Sequence, residues 1–395
     1  MIENMRQFQY PPPYALACTI IFLPFGIIHA FSAYRQSSNI PPQGVCGENA
    51  DVQSLLGYND AIQVDLFESI LRDGEQGARK TFSPESKGHI AHLLEEDMKA
   101  MILDIGLPGA SPLDFEGARK AVQSTRNVKL SALAHGTPAE ISIAARALRG
   151  AEHRSRIATF HRPMEISSRY SEGGKSTADV EKRLLKMTRR AVKVASDFAP
   201  EVQYYLVYAG NRRPSFLAEL AREASSSGAT HITIADSQSA LTPSRAHSLT
   251  SRVKDAIDDD AVTIAIHCHN QMGLALPNTL ASIKAGARQV ESCLLGIGDA
   301  GGNLATEQFL AYCEHFNHAN TLDDKEDLFP ICTVDGYSLP AAVSLAGEVS
   351  HALGKFFKHT MLCSGVLLSI LFQVCHSVLW LSWPEPTGDF AKWDI

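Results

Sequence analysis

Short apolar segments alternate with longer amphipathic segments through the middle of the chain. The short segments predict strands near residues 62–70, 100–105, 128–134, 156–160, 202–208, 231–235, 262–267 and 289–295. A segment with helical spacing of its apolar positions follows each strand, as in 84–98, 176–197 and 214–227. The first of these helices begins after Ser83-Pro84, a pair that favours a helix start.

Eight such strand-helix units make up a TIM (β/α)8 barrel, which typically takes about 250 residues. A doubly wound open sheet is the alternative, but no Gly-x-Gly-x-x-Gly turn follows the first predicted strand. We therefore predict a TIM (β/α)8 barrel with short, atypical N- and C-terminal extensions.

The two ends of the chain differ from its middle in charge. Residues 14–33 and 360–383 contain no Asp, Glu, Lys or Arg, a length that suits a membrane span or the hydrophobic region of a signal peptide. The alternative is that both ends are extensions without a selected fold. The predicted divisions are an N-terminal extension (1–60), a barrel domain (61–320), a partial helical subdomain (321–358) and an apolar tail (359–395).

Composition narrows the classes of function. The 395 residues are 45% hydrophobic and 20% charged, enough for a large core. A formal net charge of −7 gives no reason to expect nucleic acid as a partner. The eight cysteines form no Cys-x-x-Cys pair, which argues against a zinc ribbon and favours a reducing compartment. We expect a cytoplasmic or mitochondrial protein, with membrane anchoring through the apolar ends as the alternative.

Polar residues gather where three predicted strands end. Arg72 and Asp73 follow the first strand, and His267 and His269 end the seventh. A Gly-rich loop after the eighth strand leads to Asn303. Side chains two apart on a strand share a face, and these three strands are neighbours around a closed barrel. Asp73, His267, His269 and Asn303 are therefore predicted to bind one divalent ion, Mg²⁺, Mn²⁺ or Zn²⁺.

Three segments carry a family resemblance: LRDGEQ from Leu71, HCHNQMGLALPNTLASIKAGARQVE from His267, and GIGDAGGN from Gly296. Together they resemble the barrel of the isopropylmalate synthase and homocitrate synthase family, whose superfamily includes hydroxymethylglutaryl-CoA lyase. The resemblance covers roughly residues 62–318. It implies an amino-acid-biosynthetic acyltransferase that condenses acetyl-CoA, or a similar acyl-CoA, with a 2-oxo acid to form a 2-alkylmalate or homocitrate-type product. It also implies a homodimer.

The resemblance and the chemistry together suggest roles for individual residues. A guanidinium such as that of Arg72 stabilises oxyanion charge without losing its proton. Ser237 stands where the family usually carries Thr, and His135 stands where an Arg commonly meets the oxo-acid carboxylate. The predicted catalytic residues are Arg72, Glu75 and His135. The predicted substrate-binding residues are Arg72, Gln76, His135 and Ser237.

The chain departs from the family pattern after the fifth strand. Val207 and Tyr208 occupy the positions of a Glu-Asp pair, so a non-catalytic, truncated paralogue is one alternative function. A metal-dependent carbon–carbon lyase of the hydroxymethylglutaryl-CoA lyase type is the other. The lyase is disfavoured because Cys293 falls within the eighth predicted strand rather than in a Cys-rich catalytic loop.

Overall fold

Eight parallel strands close into a barrel in this computed structural model, which describes residues 61–78, 81–161, 177–257, 259–318 and 332–353. The barrel strands are β1 (Asp65–Glu68), β2 (Ile102–Asp104), β3 (Lys129–His135), β4 (Ser155–Phe160), β5 (Glu201–Leu206), β6 (His231–Asp236), β7 (Thr263–Cys268) and β8 (Gln289–Ser292). Each strand pairs with the next, and β8 pairs with β1. The predicted TIM barrel is confirmed.

Helices follow the strands and form the outer layer. They are α1 (Pro84–Glu96), α2 (Pro112–Ser124), α3 (Pro138–Ala147), α4 (Thr177–Ser196), α5 (Pro214–Ser226), α6 (Pro243–Ala256), α7 (Ala275–Lys284), α8 (Thr306–His318) and α9 (Leu339–Leu353). A Ser-Pro or Thr-Pro pair begins α1, α2, α3 and α6, and in each case the hydroxyl accepts a hydrogen bond from a backbone N–H in the first turn. Local sequence thus sets where these helices begin.

The strands are covered on both faces, as expected of a parallel sheet. All six residues of β6 are buried, and so are five of the six in β7. The larger hydrophobic core lies between the strands and the helices. The barrel interior carries polar groups as well, because Gln289, Glu291 and Ser292 of β8 are all buried.

The first predicted strand is shorter than the sequence suggested. Strand β1 ends at Glu68, and Ile70–Gly74 form a π-helical turn in which Ser69 O accepts from the backbone N–H groups of Arg72 and Asp73. A carboxylate oxygen of Glu68 accepts from Ile70 N at 2.9 Å, which replaces the next strand hydrogen bond. The turn continues into a short helix, Glu75–Ala78.

The fifth and eighth strands also end earlier than predicted. Tyr208 has a φ of 58° in the left-handed region, so β5 ends at Leu206 and a 3₁₀ turn follows. Leu295 has a φ of 65° inside the 3₁₀ turn after β8. Cys293 therefore lies one residue beyond β8 and not within it.

The last described segment packs back onto the barrel. Cys332–Thr333 pair in parallel with Ile62–Gln63, and α9 contacts both α1 and α8. Tyr337 accepts from Met101 N at 3.1 Å and donates to the carbonyl of Leu66 at 2.9 Å. The predicted extension 1–60 and tail 359–395 lie outside the described residues. No helix among the described residues combines the length and the apolar character that a membrane span requires.

Two buried carboxyl groups, those of Glu68 and Glu307, connect the adjacent strands β1 and β8 with helix α8. Glu68 accepts from Leu294 N at 3.0 Å and from the Thr306 hydroxyl at 2.5 Å, and Glu307 accepts from Leu295 N. Burial raises the pKa of Glu68 from 4.5 to about 8, and it raises the pKa of Glu307 to about 7. Both groups are therefore easier to protonate in the folded chain than in the unfolded chain.

We expect the contribution of Glu68 and Glu307 to the free energy of unfolding to fall between about pH 5 and about pH 8, because the folded chain binds their protons more tightly than the unfolded chain does. The contribution of Glu68 is complete below pH 4.5 and is lost as the pH rises towards about 8. Glu68→Gln keeps an acceptor oxygen and stays neutral, so its unfolding free energy should depend less on pH. Urea unfolding at the two pH values measures this, with the exposed Glu96→Gln as the control. An equally steep pH dependence in Glu68→Gln would contradict the expectation.

Candidate metal and substrate site

A pocket lies at the carboxyl ends of the strands, where the sequence placed the site. Seven predicted site residues line it: Arg72, Asp73, Gln76, His135, Ser237, His267 and His269. Its other lining residues are Leu107, Leu133, Phe160, Tyr205, Val207, Tyr208, Ala235 and Asp299. The lining thus has a polar part around Asp73 and an apolar part contributed mainly by β2 to β5 and the loops after them.

Three side chains form a cluster that fits a metal ion. Asp73, His267 and His269 each present one donor atom, and these atoms lie within 4.8 Å of one another. Nε2 of His267 is 3.6 Å from Oδ2 of Asp73 and 3.4 Å from Nε2 of His269. All three residues are buried. Imidazole and carboxylate donors at such distances suit a divalent transition metal or Mg²⁺.

Asn303 lies against the same cluster. Its backbone forms an isolated bridge with His269, and its Nδ2 donates to Oδ2 of Asp73 at 2.5 Å. Its buried Oδ1 has no hydrogen-bond partner among the described residues. Rotation of the amide by half a turn exchanges the two atoms and directs the oxygen towards Asp73 and the histidines. The four side chains therefore suit a bound cation, whereas hydrogen bonds among themselves leave the Asn303 oxygen without a partner in the described part of the chain.

The charges around Asp73 keep its carboxylate ionised. Burial alone acts to raise its pKa, but Arg72, His267 and His269 outweigh burial and lower the pKa to about 2. Burial also lowers the pKa of His269, and the neighbouring His267 lowers it further. A carboxylate and a neutral imidazole are the protonation states that bind metals.

Arg72 connects the metal cluster to the second strand. Its Nε donates to Asp104 at 2.7 Å, and its Nη1 lies 3.2 Å from Oδ1 of Asp73. Nη1 also reaches Gln76 at 3.5 Å. The π-helical turn after β1 directs this guanidinium to the lining of the pocket.

Glu75 does not reach the pocket, although the sequence placed it beside the site. Its carboxylate is bound by the buried Lys87 at 2.5 Å and by the backbone N–H of Phe82 at 2.7 Å. On the helical turn Glu75 faces α1, whereas Asp73 and Gln76 face the pocket. The Glu75 carboxylate therefore connects this turn to α1 and does not line the pocket.

His135 and Ser237 both line the pocket, and each contacts a different neighbouring residue. The ring of His135 lies against Phe160, with 4.8 Å between the ring centroids. The Ser237 hydroxyl accepts from Tyr208 N at 3.0 Å, which fixes the left-handed turn after β5. Ser237 therefore has a structural contact in addition to its place in the pocket.

Sequence reasoning missed two residues at the site. Tyr205 on β5 lines the pocket, and its hydroxyl donates to the buried carboxylate of Glu291 on β8 at 2.9 Å. That carboxylate also lies 3.2 Å from Nδ1 of His267. The sequence contained one signal for Glu291: it is an acidic residue in the middle of a strand that must be buried on both faces.

The comparison with known families agrees with this geometry. The sequence profile of the HMGL-like family matches residues 63–334. The chain belongs to the HMGL-like family. This match spans the whole barrel, from before β1 to the strand Cys332–Thr333.

The chain is similar to curated 2-isopropylmalate synthases. It is 33% identical to that of Salinibacter ruber (strain M8) over 249 residues, which are 62% of this chain and 45% of that protein. It is 34% identical to that of Klebsiella pneumoniae (strain 342) over 308 residues, 74% of this chain and 56% of that protein. The chain thus spans about half the length of the curated relatives it matches.

Solved structures of the HMGL-like fold include hydroxymethylglutaryl-CoA lyases. The enzyme from Pseudomonas aeruginosa superposes with a TM-score of 0.58 at 21% identity, over 75% of this chain and 95% of that chain. The Bacillus subtilis lyase gives 0.57 at 18% identity, over 75% and 95%. At these identities the likeness concerns the fold alone.

Proposed function

We propose that this HMGL-like chain transfers the acyl group of an acyl-CoA, such as acetyl-CoA, to a 2-oxo acid. The observation that carries the proposal is the convergence of Asp73, His267, His269 and Asn303 beside Arg72 in the pocket. The sequence similarity to 2-isopropylmalate synthases supports this reaction over others that the same barrel hosts.

The reaction forms one carbon–carbon bond and breaks one thioester. The carbon of the acyl-CoA next to the thioester carbonyl loses a proton and bonds to the ketone carbon of the oxo acid. The ketone oxygen takes up a proton and becomes a hydroxyl. Water then cleaves the thioester and releases CoA as a free thiol. Asp73, His267 and His269 would hold a divalent ion, which would act as a Lewis acid on the ketone.

The chain's own residues position the charges for this reaction. Arg72 is held by Asp104 and Asp73, so its guanidinium is already oriented towards the pocket before substrate binds. A fixed positive charge stabilises negative charge that develops on oxygen, at little cost in reorganisation. His135 and Ser237 line the same pocket and are available to bind the oxo-acid carboxylate.

The apolar part of the pocket suggests the class of oxo acid. Leu133, Tyr205 and Ala235 belong to a separate buried apolar cluster, and Phe160 and Val207 pack against it. Arg72 is the only Lys or Arg that lines the pocket among the described residues. A second carboxylate on the substrate would lose its hydration there without gaining a cationic partner from the residues that the structure describes. We propose an acceptor with an apolar side chain rather than a dicarboxylic one.

The buried thiols weigh against the lyase alternative. The described cysteines, Cys268, Cys293, Cys313 and Cys332, are all buried. Burial raises the pKa of the Cys293 thiol well above its usual value. A buried thiol with a raised pKa is a poor acid or nucleophile at neutral pH.

The test is thiol release from acetyl-CoA in the presence of Mg²⁺, Mn²⁺ or Zn²⁺ and a panel of 2-oxo acids. We expect release with 2-oxoisovalerate to exceed release with 2-oxoglutarate, in kcat/KM, by at least about tenfold, because pocket polarity is worth that much discrimination. Pyruvate, oxaloacetate and glyoxylate complete the panel, and metal-free protein is the blank.

Two results would count against the proposal in different ways. Equal or faster release with 2-oxoglutarate would overturn the apolar acceptor and leave the acyl transfer standing. A folded, metal-loaded protein that releases no thiol with any acceptor would overturn the acyl transfer and favour the non-catalytic paralogue.

A further inference from the structure

A buried carboxylate stands directly behind the metal cluster inside the barrel. Glu291 is 1% exposed, and its Oε2 lies 3.2 Å from Nδ1 of His267 and accepts from the Tyr205 hydroxyl at 2.9 Å. Its Oε1 accepts from Nε2 of Gln203 at 2.6 Å and from the Thr233 hydroxyl at 3.0 Å. Groups from β5, β6 and β7 therefore fix one carboxylate of β8.

The orientation of this carboxylate is set from a further layer of the barrel. Arg156 donates to Oε1 of Gln203 at 2.9 Å, so the Gln203 amide must direct its NH₂ group towards Glu291. Because the NH₂ group of Gln203 can only donate, the side chain at position 291 must present an acceptor to it. Strand pairing places His267 and Glu291 side by side, which brings the imidazole to the same carboxylate.

Glu291 and His267 are in close contact, but the contact is not a hydrogen bond in this conformation. The distance of 3.2 Å is suitable for a hydrogen bond, but the direction at Nδ1 is not. The same ring has its Nδ1 beside Oε2 of Glu291 and its Nε2 3.6 Å from Oδ2 of Asp73. Metal-binding histidines commonly hold their second nitrogen to a carboxylate in this way, which fixes the tautomer.

We propose that Glu291 is the positioning residue of the metal centre: it holds the Nδ1–H of His267, so that Nε2 presents its lone pair to the metal. The inference rests on the metal site of the proposed function, and it holds for either acceptor class. Tyr205 belongs to the same arrangement, because its hydroxyl binds Glu291 while its ring lies edge-on to His267, with 6.5 Å between the centroids.

Replacement by glutamine separates positioning from packing. The side chain of Glu291→Gln has the same shape, but its NH₂ must face either the NH₂ of Gln203 or the Nδ1–H of His267. The first arrangement opposes two donors, and the second forces the proton of His267 onto Nε2. Both arrangements weaken the donation of Nε2 to a metal.

The experiment is titration of the full-length, metal-free protein with Mn²⁺ by calorimetry, followed by the visible spectrum of the Co²⁺ form. We expect Glu291→Gln to weaken Mn²⁺ binding by about 10- to 100-fold and to shift the Co²⁺ bands. The matched control is Glu307→Gln, a buried carboxyl on α8 that accepts from the backbone N–H of Leu295. The control should keep both the affinity and the spectrum of the wild type.

A second variant covers the case in which Glu291→Gln does not fold. Tyr205→Phe removes one hydrogen bond to Glu291 and keeps the ring, so we expect about a two- to fivefold loss of Mn²⁺ affinity, the effect of one hydrogen bond. In a folded double variant the two effects should not add, because both act on one contact.

Three results would overturn the proposal. One is wild-type Mn²⁺ affinity in folded Glu291→Gln, and another is an equal loss in Glu291→Gln and Glu307→Gln. If Glu291→Gln does not fold, wild-type affinity in Tyr205→Phe is the third. Thiol release tests the proposed reaction separately. If Glu291→Gln weakens Mn²⁺ binding but the wild type releases no thiol, only the proposed reaction is overturned.

Discussion

Replacing Asp73 with alanine is expected to abolish metal-dependent thiol release and to remove most of the affinity for Mn²⁺. Asp73 is the only carboxylate in the cluster, and its charge separates the guanidinium of Arg72 from the position of the cation. Without it, two imidazoles and Asn303 must bind a divalent ion without any carboxylate ligand, close to the positive charge of Arg72. Loss of a Lewis acid worth several kcal/mol corresponds to a rate decrease of about a thousandfold or more. Calorimetry and the thiol assay measure the two effects.

The matched control is Asp260→Ala, which removes an exposed carboxylate from the loop before β7. It should keep the affinity and the rate of the wild type. Asp73→Asn tests the charge alone, since it keeps the shape of the side chain and can still accept a hydrogen bond. Mn²⁺ binding by Asp73→Ala with an affinity close to that of the wild type would show that the cluster is not the metal site.

Arg72→Lys is expected to lower kcat by about 100- to 1,000-fold, the effect of losing one fixed donor at a developing oxyanion. A lysine keeps the charge but cannot reach Asp104 and Asp73 together, because it lacks the planar fork of the guanidinium. Steady-state kinetics with saturating metal measures the change.

Arg72→Ala should reduce stability as well as rate. Asp104 is 1% exposed and loses the donor that is 2.7 Å from its carboxylate. An unpaired buried charge costs about 3–5 kcal/mol, whereas breaking an exposed ion pair costs at most about 1 kcal/mol. Arg189→Ala breaks such an exposed pair, with Glu223, and is the control for urea unfolding. Wild-type kcat in Arg72→Lys would assign Arg72 a structural role only.

The candidate metal cluster shows how much of a site the local sequence pattern can predict. His267 and His269 could be paired from sequence because their spacing on a strand puts both on one face. Asp73 and Asn303 could be added because strand ends meet at one rim of a barrel. The structure brings all four together, since the eight-strand count and the strand order were both correct.

Glu75 shows where the same reasoning fails. Four positions of the LRDGEQ segment were assigned to the site, Arg72, Asp73, Glu75 and Gln76, but the chain turns into a π-helical and then a helical conformation there. Successive side chains on a helix point in different directions, so Glu75 binds Lys87 while Asp73 and Gln76 reach the pocket. The Ser69 and Glu68 hydrogen bonds that produce this turn had no signature in the sequence pattern.

Local periodicity and the positions of strand ends are enough to predict the barrel, the rim at which the pocket lies and the four side chains that meet there. The places of Glu291 and Tyr205 behind His267, and the direction of Glu75 away from the pocket, became visible only in the folded structure. Those contacts depend on strand register and on the side-chain directions at each strand end. Glu291 and Tyr205 are separated by 86 positions along the chain, and no local pattern encodes such a contact.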